Sequence, residues 1–184
     1  MSYAVLRVLG AERQFICHYI EFSVARAERI SAYLLVPDKA SIVRRCPAVV
    51  MLHDHGARFD IGKEKLVKPM TSVLAKGADD HIMHSSRQWI DKNFDGVYLA
   101  DSLASLGYVV LVADALYWGE RSSEDAQRWS ELSFADPDGV PSEGLPSMER
   151  KALIKELKNK VYDGQKLLYD SLYADGVIWA EKML

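Results

Sequence analysis

Two uninterrupted apolar runs dominate the hydropathy pattern of this chain: Ala48-Val49-Val50-Met51-Leu52 and Tyr108-Val109-Val110-Leu111-Val112-Ala113. Short runs rich in Val and Leu, with no polar alternation, predict strands buried on both faces of a parallel sheet. Between them, Phe94, Val97, Tyr98, Leu99, Leu103 and Leu106 recur near helical spacing over residues 90–106, and Gly107 follows as a stop. The three pieces predict a strand-helix-strand unit with parallel strands and a right-handed crossover. Upstream, Phe15 to Phe22 and Ile30 to Val36 are rich in β-branched and aromatic residues and alternate in polarity. Ala25 to Arg29 reads as a polar turn between them and Pro37 as a terminator, so an antiparallel hairpin is predicted. Downstream, a polar region runs from Ser122 into a loop at Asp136 to Pro141. A long helix is predicted from about Ser147 toward residue 182, with Leu153, Leu157, Val161, Leu168 and Leu172 on one face. Asp163-Gly164 and Asp175-Gly176 are expected to interrupt it. There is no repeat, no low-complexity tract and no linker-like stretch. The pattern predicts one α/β domain over residues 1–184, a mostly parallel sheet carrying an N-terminal antiparallel hairpin.

Composition changes this picture little. The 184 residues are 49% hydrophobic and 27% charged with a net charge of -3. Without a basic excess or an acidic tail, nucleic acid is not an expected partner, and small molecules or proteins are. Met1 to Arg7 lacks a long apolar core, and no stretch approaches the roughly 18 apolar residues of a membrane span. A soluble, cytoplasmic protein is expected. Cys17 and Cys46 do not form a C-x-x-C pair and read as reduced packing residues.

The strongest chemical signal is His53-Asp54-His55-Gly56-Ala57, directly after the first apolar run. A polar loop at the C-terminal end of a parallel strand is where open α/β sheets bind ligands. Gly56 and Ala57 have side chains too small to block a reacting centre, so backbone N–H groups there can face a developing negative charge. The plainer alternative is that His53 and His55 only close a strand-loop junction.

The order of elements carries a resemblance. A hairpin ending in Leu35-Val36-Pro37, a strand into His53-Asp54-His55-Gly56, and Gly107-Tyr108-Val109-Val110 into Asp114 with Gly119, Arg121 and Ser122 resemble the N-terminal half of the α/β-hydrolases, in the dienelactone hydrolase and acetyl xylan esterase-like branch. Gly62-Lys63-Glu64-Lys65 resembles a feature of some of these enzymes. The likeness spans about residues 29–125, and more weakly the helix beyond. It implies a three-layer hydrolase fold, carboxylic ester cleavage and an oxyanion hole near His55, Gly56 and Ala57, with Asp54, Tyr117 and Trp118 at the substrate pocket. It also implies a Ser or Cys nucleophile on a sharp elbow, then an acid, then a His. No two glycines lie four residues apart and no His follows His84, so neither elbow nor terminal base is present. The chain is therefore expected to be the front half of such a domain, truncated and inactive alone. Its incomplete sheet would leave an unpaired edge open to self-association.

Other chemistries are weighed against this. His53 and His55 with Asp79-Asp80-His81-Ile82-Met83-His84 offer imidazole and carboxylate ligands for a metal-dependent hydrolase. Against it, the second cluster is flanked by Gly77, Ser85 and Ser86 and reads as a solvated surface loop. No metal or other cofactor is expected. Asp114 is expected to hydrogen-bond backbone amides at its strand end, Lys63-Glu64-Lys65 to form a solvated charged face, and Tyr117 and Trp118 to line either a pocket or a core.

Overall fold

The computed structural model describes residues 14–23, 29–41, 43–70, 79–134 and 147–176. The polar turn before Arg29, the loop at Asp136 to Pro141, the N-terminal residues and the helix end beyond residue 176 lie outside the described residues. Strands β1 (Phe15–Ser23), β2 (Arg29–Pro37) and β3 (Ala48–Met51) come first, then helices α1 (Asp79–Asn93) and α2 (Leu99–Ser105), then β4 (Val109–Ala113); α3 (Glu124–Phe134) and α4 (Ser147–Ala174) follow. Contacts divide the chain into two compact units, Met1–His55 with Ile61–Asp114, and Gly56–Asp60 with Ala115–Leu184.

The first unit holds one four-stranded sheet, in the order β1-β2-β4-β3. β1 and β2 form an antiparallel hairpin in which Tyr19 faces Tyr33. β2 is also antiparallel to β4, with Leu34 opposite Leu111, and only β3 and β4 are parallel. The expectation of a mostly parallel sheet is thus corrected: the sheet is mixed, and two of its three pairings are antiparallel. An apolar run reports that a strand is buried, not which neighbour it takes. Here the second hairpin strand occupies the position beside β4.

The core of this unit gathers Phe15, Cys17, Tyr33, Leu35, Val110 and Val112 from the sheet, Ala100 and Ala104 from α2, and Leu66, Val67 and Met70 from the segment after β3. The crossover differs from the single helix expected over 90–106. It consists of α1 and α2, divided at Asp95-Gly96, where the Gly96 N–H folds back onto Ile90 O at 3.1 Å. His81 to Ser86, expected in a surface loop, lie within α1, and Ser85 and Ser86 are buried rather than solvated.

In the second unit, Phe59 packs against Trp118 and Trp129 in tilted pairs, with ring centroids at 5.1 and 5.3 Å. Leu132 of α3 and Leu157 and Val161 of α4 complete that cluster. Both polar groups of Phe59 are used: its N–H donates to Ser130 Oγ at 2.8 Å and its carbonyl accepts from Gly119 N–H at 3.0 Å. Arg58 and Asp60 flank it as a buried two-point ion pair, 3.0 Å at each contact. α4 runs for 28 residues through Gly164 without the expected interruption. Among the described residues no helix is long and apolar enough to cross a membrane.

Candidate functional site

The C-terminal ends of the parallel pair β3 and β4 are joined by a short 3₁₀ turn, Lys63–Lys65, all of whose side chains are buried. Charged side chains enter an interior only when compensated, and each of these three is. Lys63 Nζ lies 2.8 Å from Asp114 Oδ2, at the end of β4, and 3.1 Å from Glu64 Oε1. Its own main-chain N–H donates to Asp114 Oδ1 at 2.7 Å, so one carboxylate receives both the charge and the backbone of one residue. Lys63 Nζ also donates to Ser31 Oγ at 3.4 Å, and it lies 5.5 and 5.9 Å from the ring centres of Tyr33 and Tyr19. Burial pushes the Glu64 carboxyl above its ordinary range, Lys63 opposing the shift and Asp114 adding to it. Burial likewise drives the Tyr33 phenol far upward.

Gly62 makes this junction possible. A Cβ there would come within 3.0 Å of Asp114 Cγ, closer still to Oδ1, and 3.1 Å from His53 Nε2. The position therefore requires glycine for close approach. Its N–H donates to Glu64 Oε2 at 3.2 Å. The turn is seated from α1, where Ser86 Oγ donates to Glu64 O at 2.7 Å, and Tyr98 OH lies 3.2 Å from the same hydroxyl.

Lys65 serves the other strand. Its fully buried ammonium donates to the carbonyls of Asp54 and His55, each at 3.0 Å, and stands 5.0 Å from the ring centre of Trp89. His53 Nδ1 lies 3.0 Å from the same Asp54 oxygen. A carbonyl only accepts, so Nδ1 carries the hydrogen and Nε2, on the Gly62 side, carries the lone pair. Burial holds His53 below the ordinary imidazole range, with Lys65 adding to that and the Asp54 hydrogen bond and Asp114 opposing it. The more exposed His55 is lowered as well, first by burial and then by Lys65. Beyond His55, the backbone of Gly56 and Ala57 is left-handed, with φ of 50° and 54°. Left-handed backbone is costly for alanine.

The residues expected at the site fall as follows. His53, Asp54 and His55 leave β3, with Asp54 and His55 exposed at their side chains and held at their carbonyls. Asp114 bonds a backbone amide, but that of Lys63, 51 positions away, and the Lys63 ammonium with it. The expectation that Lys63, Glu64 and Lys65 are solvated is overturned. In the second unit Trp118 is a core residue, and Tyr117, at φ 76°, donates its hydroxyl to Gly164 O at 3.3 Å. His81 sits in α1 with Ser85 Oγ at 3.5 Å, and His84 is exposed. Among the described residues no group of three or more His, Cys, Asp or Glu is placed to hold a metal ion. Sequence reasoning missed Ser31, Gly62 and the two lysines as a unit. The available signal was their setting, because Ile61, Leu66 and Val67 enclose three charges within seven positions.

No protein-family model, no curated protein and no solved structure matches this chain.

Proposed function

We propose that this chain supplies the oxyanion-binding side of a carboxylic ester hydrolase of the α/β-hydrolase type, in the dienelactone hydrolase and acetyl xylan esterase-like branch, acting on a small-molecule ester. One observation carries the reading: the Lys65 ammonium holds the carbonyls of both Asp54 and His55 at 3.0 Å. In a trans peptide the C=O and N–H point in opposite directions. Two consecutive carbonyls held by Lys65 therefore fix the two peptide planes that carry the N–H groups of His55 and Gly56, each directed away from the lysine. A fixed N–H donor suits the oxygen of a tetrahedral intermediate and is worth about 3 kcal/mol of barrier. The lysine supplies the fixity, because the donors need no reorganisation as charge develops.

The chemistry of the bond itself would come from elsewhere. No Gly-x-Ser-x-Gly or Gly-x-Cys-x-Gly occurs in the sequence, His53 Nδ1 is engaged with Asp54 O, and Asp114 is engaged with Lys63. These 184 residues alone are expected to give no turnover of p-nitrophenyl acetate above that of an Ala57→Pro variant. A cytoplasmic setting belongs to the same proposal, and it agrees with the lack of a disulfide between Cys17 and Cys46.

The binding test uses phenylphosphonate as a mimic of the tetrahedral oxyanion. Titrated into ¹⁵N-labelled protein, it should shift the amide resonances of His55 and Gly56 saturably. In Lys65→Met the same titration should leave them unmoved while the β4 amides keep their folded positions. Absence of a saturable shift in the wild type, or an equal shift in Lys65→Met, refutes the assignment.

A further inference from the structure

β3 is the edge of the described sheet, and within the strand it carries no charge, proline or bulge. It is four residues long. Pro47 O accepts from Val109 N–H at 2.9 Å, and Ala48 is in register with Val109. Pro47, Val49 and Met51 therefore turn their peptide groups to β4, which leaves those of Ala48, Val50 and Leu52 pointing outward. The side chains of the same three residues share one face, and that face is open: Val50 is 69% exposed and Leu52 62%.

We infer that this edge is the contact between two copies of the chain, β3 pairing antiparallel with β3 about a two-fold axis at Val50. The charges flanking the strand select this occupant and this direction. Arg44 and Arg45 precede β3, and Asp54 follows it. Antiparallel pairing centred on Val50 sets the arginine end of each copy beside the Asp54 end of the other, twice over. Parallel addition of a second β3 would place arginines beside arginines. Outward-facing residues must pair with outward-facing residues, so the register is Val50 with Val50, Ala48 with Leu52, and Cys46 with Asp54. The axis then lies between two valines, an apolar cross-strand pair. The contact is isologous and closes at two copies, joining two four-stranded sheets into one of eight.

The test is sedimentation velocity of the full chain over a roughly hundredfold concentration range, where mass action moves a weak dimer. The weight-average mass should rise from that of one chain toward that of two and stop there. Val50→Lys puts two ammonium groups against each other at the axis and should hold the mass at one chain throughout. Val50 is exposed, so its circular dichroism should be unchanged; Ala48→Lys, opposite Leu52, is the second variant and should weaken the dimer at least tenfold. Raised salt should weaken the wild-type dimer by screening the arginine and Asp54 ends. A wild-type chain that stays a monomer overturns the inference. So does a mass that climbs past two chains, or a folded Val50→Lys that dimerises as the wild type does.

Discussion

Replacing Lys63 by Met tests whether the buried charge cluster holds the first unit together. The ammonium is fully buried, 2.8 Å from Asp114 Oδ2 and 3.1 Å from Glu64 Oε1. Met fills much of the stem's volume, so the loss is electrostatic more than steric. Removing one partner of a buried pair costs about 3–5 kcal/mol, because the remaining charge stays desolvated. Asp114 keeps the Lys63 N–H at 2.7 Å, and the Glu64 carboxyl is already biased toward its neutral form by burial. Both place the expected cost near the lower end, about 3 kcal/mol, against a typical total stability of about 5–15 kcal/mol. Urea unfolding followed by far-UV circular dichroism would read this as a midpoint lowered by about 1–3 M at unchanged slope. Lys63→Met with Asp114→Asn removes both charges and retains the shape, and should recover at least half of the loss. A single-variant cost below about 1 kcal/mol would refute the reasoning, as would a double variant whose cost equals the sum of the two singles.

The other two perturbations address the geometry around this pair. Gly62→Ala inserts a methyl group 3.0 Å from Asp114 Cγ and 3.1 Å from His53 Nε2; it should cost about 1–3 kcal/mol by overpacking, and should displace the Lys63 amide resonance as its bond to Asp114 lengthens. An unmoved Lys63 amide would contradict that account. His53 gives a pH signature: its folded imidazole is held below the ordinary value, so the unfolded chain binds the proton first as pH falls. Stability should be fully present above the ordinary imidazole value of about 6.5 and decline as pH drops from there toward the folded value. His53→Gln should flatten urea midpoints across that window, and an unchanged slope would show that His53 is not the group responsible.

How far the sequence exposed this arrangement depends on what each pattern encodes. Alternation in Phe15–Ser23 encodes a half-buried strand directly, whereas Arg29–Pro37, an inner strand, is buried on both faces; the hairpin follows from the short separation of the two. The runs at β3 and β4 also reveal strands, but not pairing order, because any apolar neighbour satisfies them equally. For β3 the run overstates burial, since Ala48, Val50 and Leu52 face outward at the edge. Gly77, Ser85 and Ser86 suggested a loop where α1 runs, because a serine that bonds a carbonyl across the interior resembles a solvated one in sequence. α3 was hidden for a related reason: Ala126, Trp129 and Leu132 mark its buried face among acidic and polar residues that looked like loop. Lys-Glu-Lys was the costliest misreading. Charge predicts solvent only where no compensating group exists, and Asp114 and the Asp54 and His55 carbonyls are distant in sequence.

That misread tripeptide also explains why a loop as short as His53–Ala57 can hold one shape. A 3₁₀ helix turns about 120° per residue, so side chains two positions apart leave it on well-separated sides. Lys63 thus reaches the end of β4 while Lys65 reaches the loop after β3, and a single turn ties together the C-terminal ends of two parallel strands. Hydrophobic packing could bring those ends close, but it is non-directional and would leave the loop free to rotate its peptide planes. Ammonium-to-carbonyl bonds are directional, and their charge makes them stronger than neutral ones. An arginine at position 65 would keep the charge but replace a compact tripodal donor with a planar fork. It would therefore not reproduce two convergent bonds of 3.0 Å to successive carbonyls beside Trp89. The orientation of the His55 and Gly56 amides, and with it the proposed oxyanion site, rests on the geometry of that one ammonium and not on the apolar strand that delivers the loop.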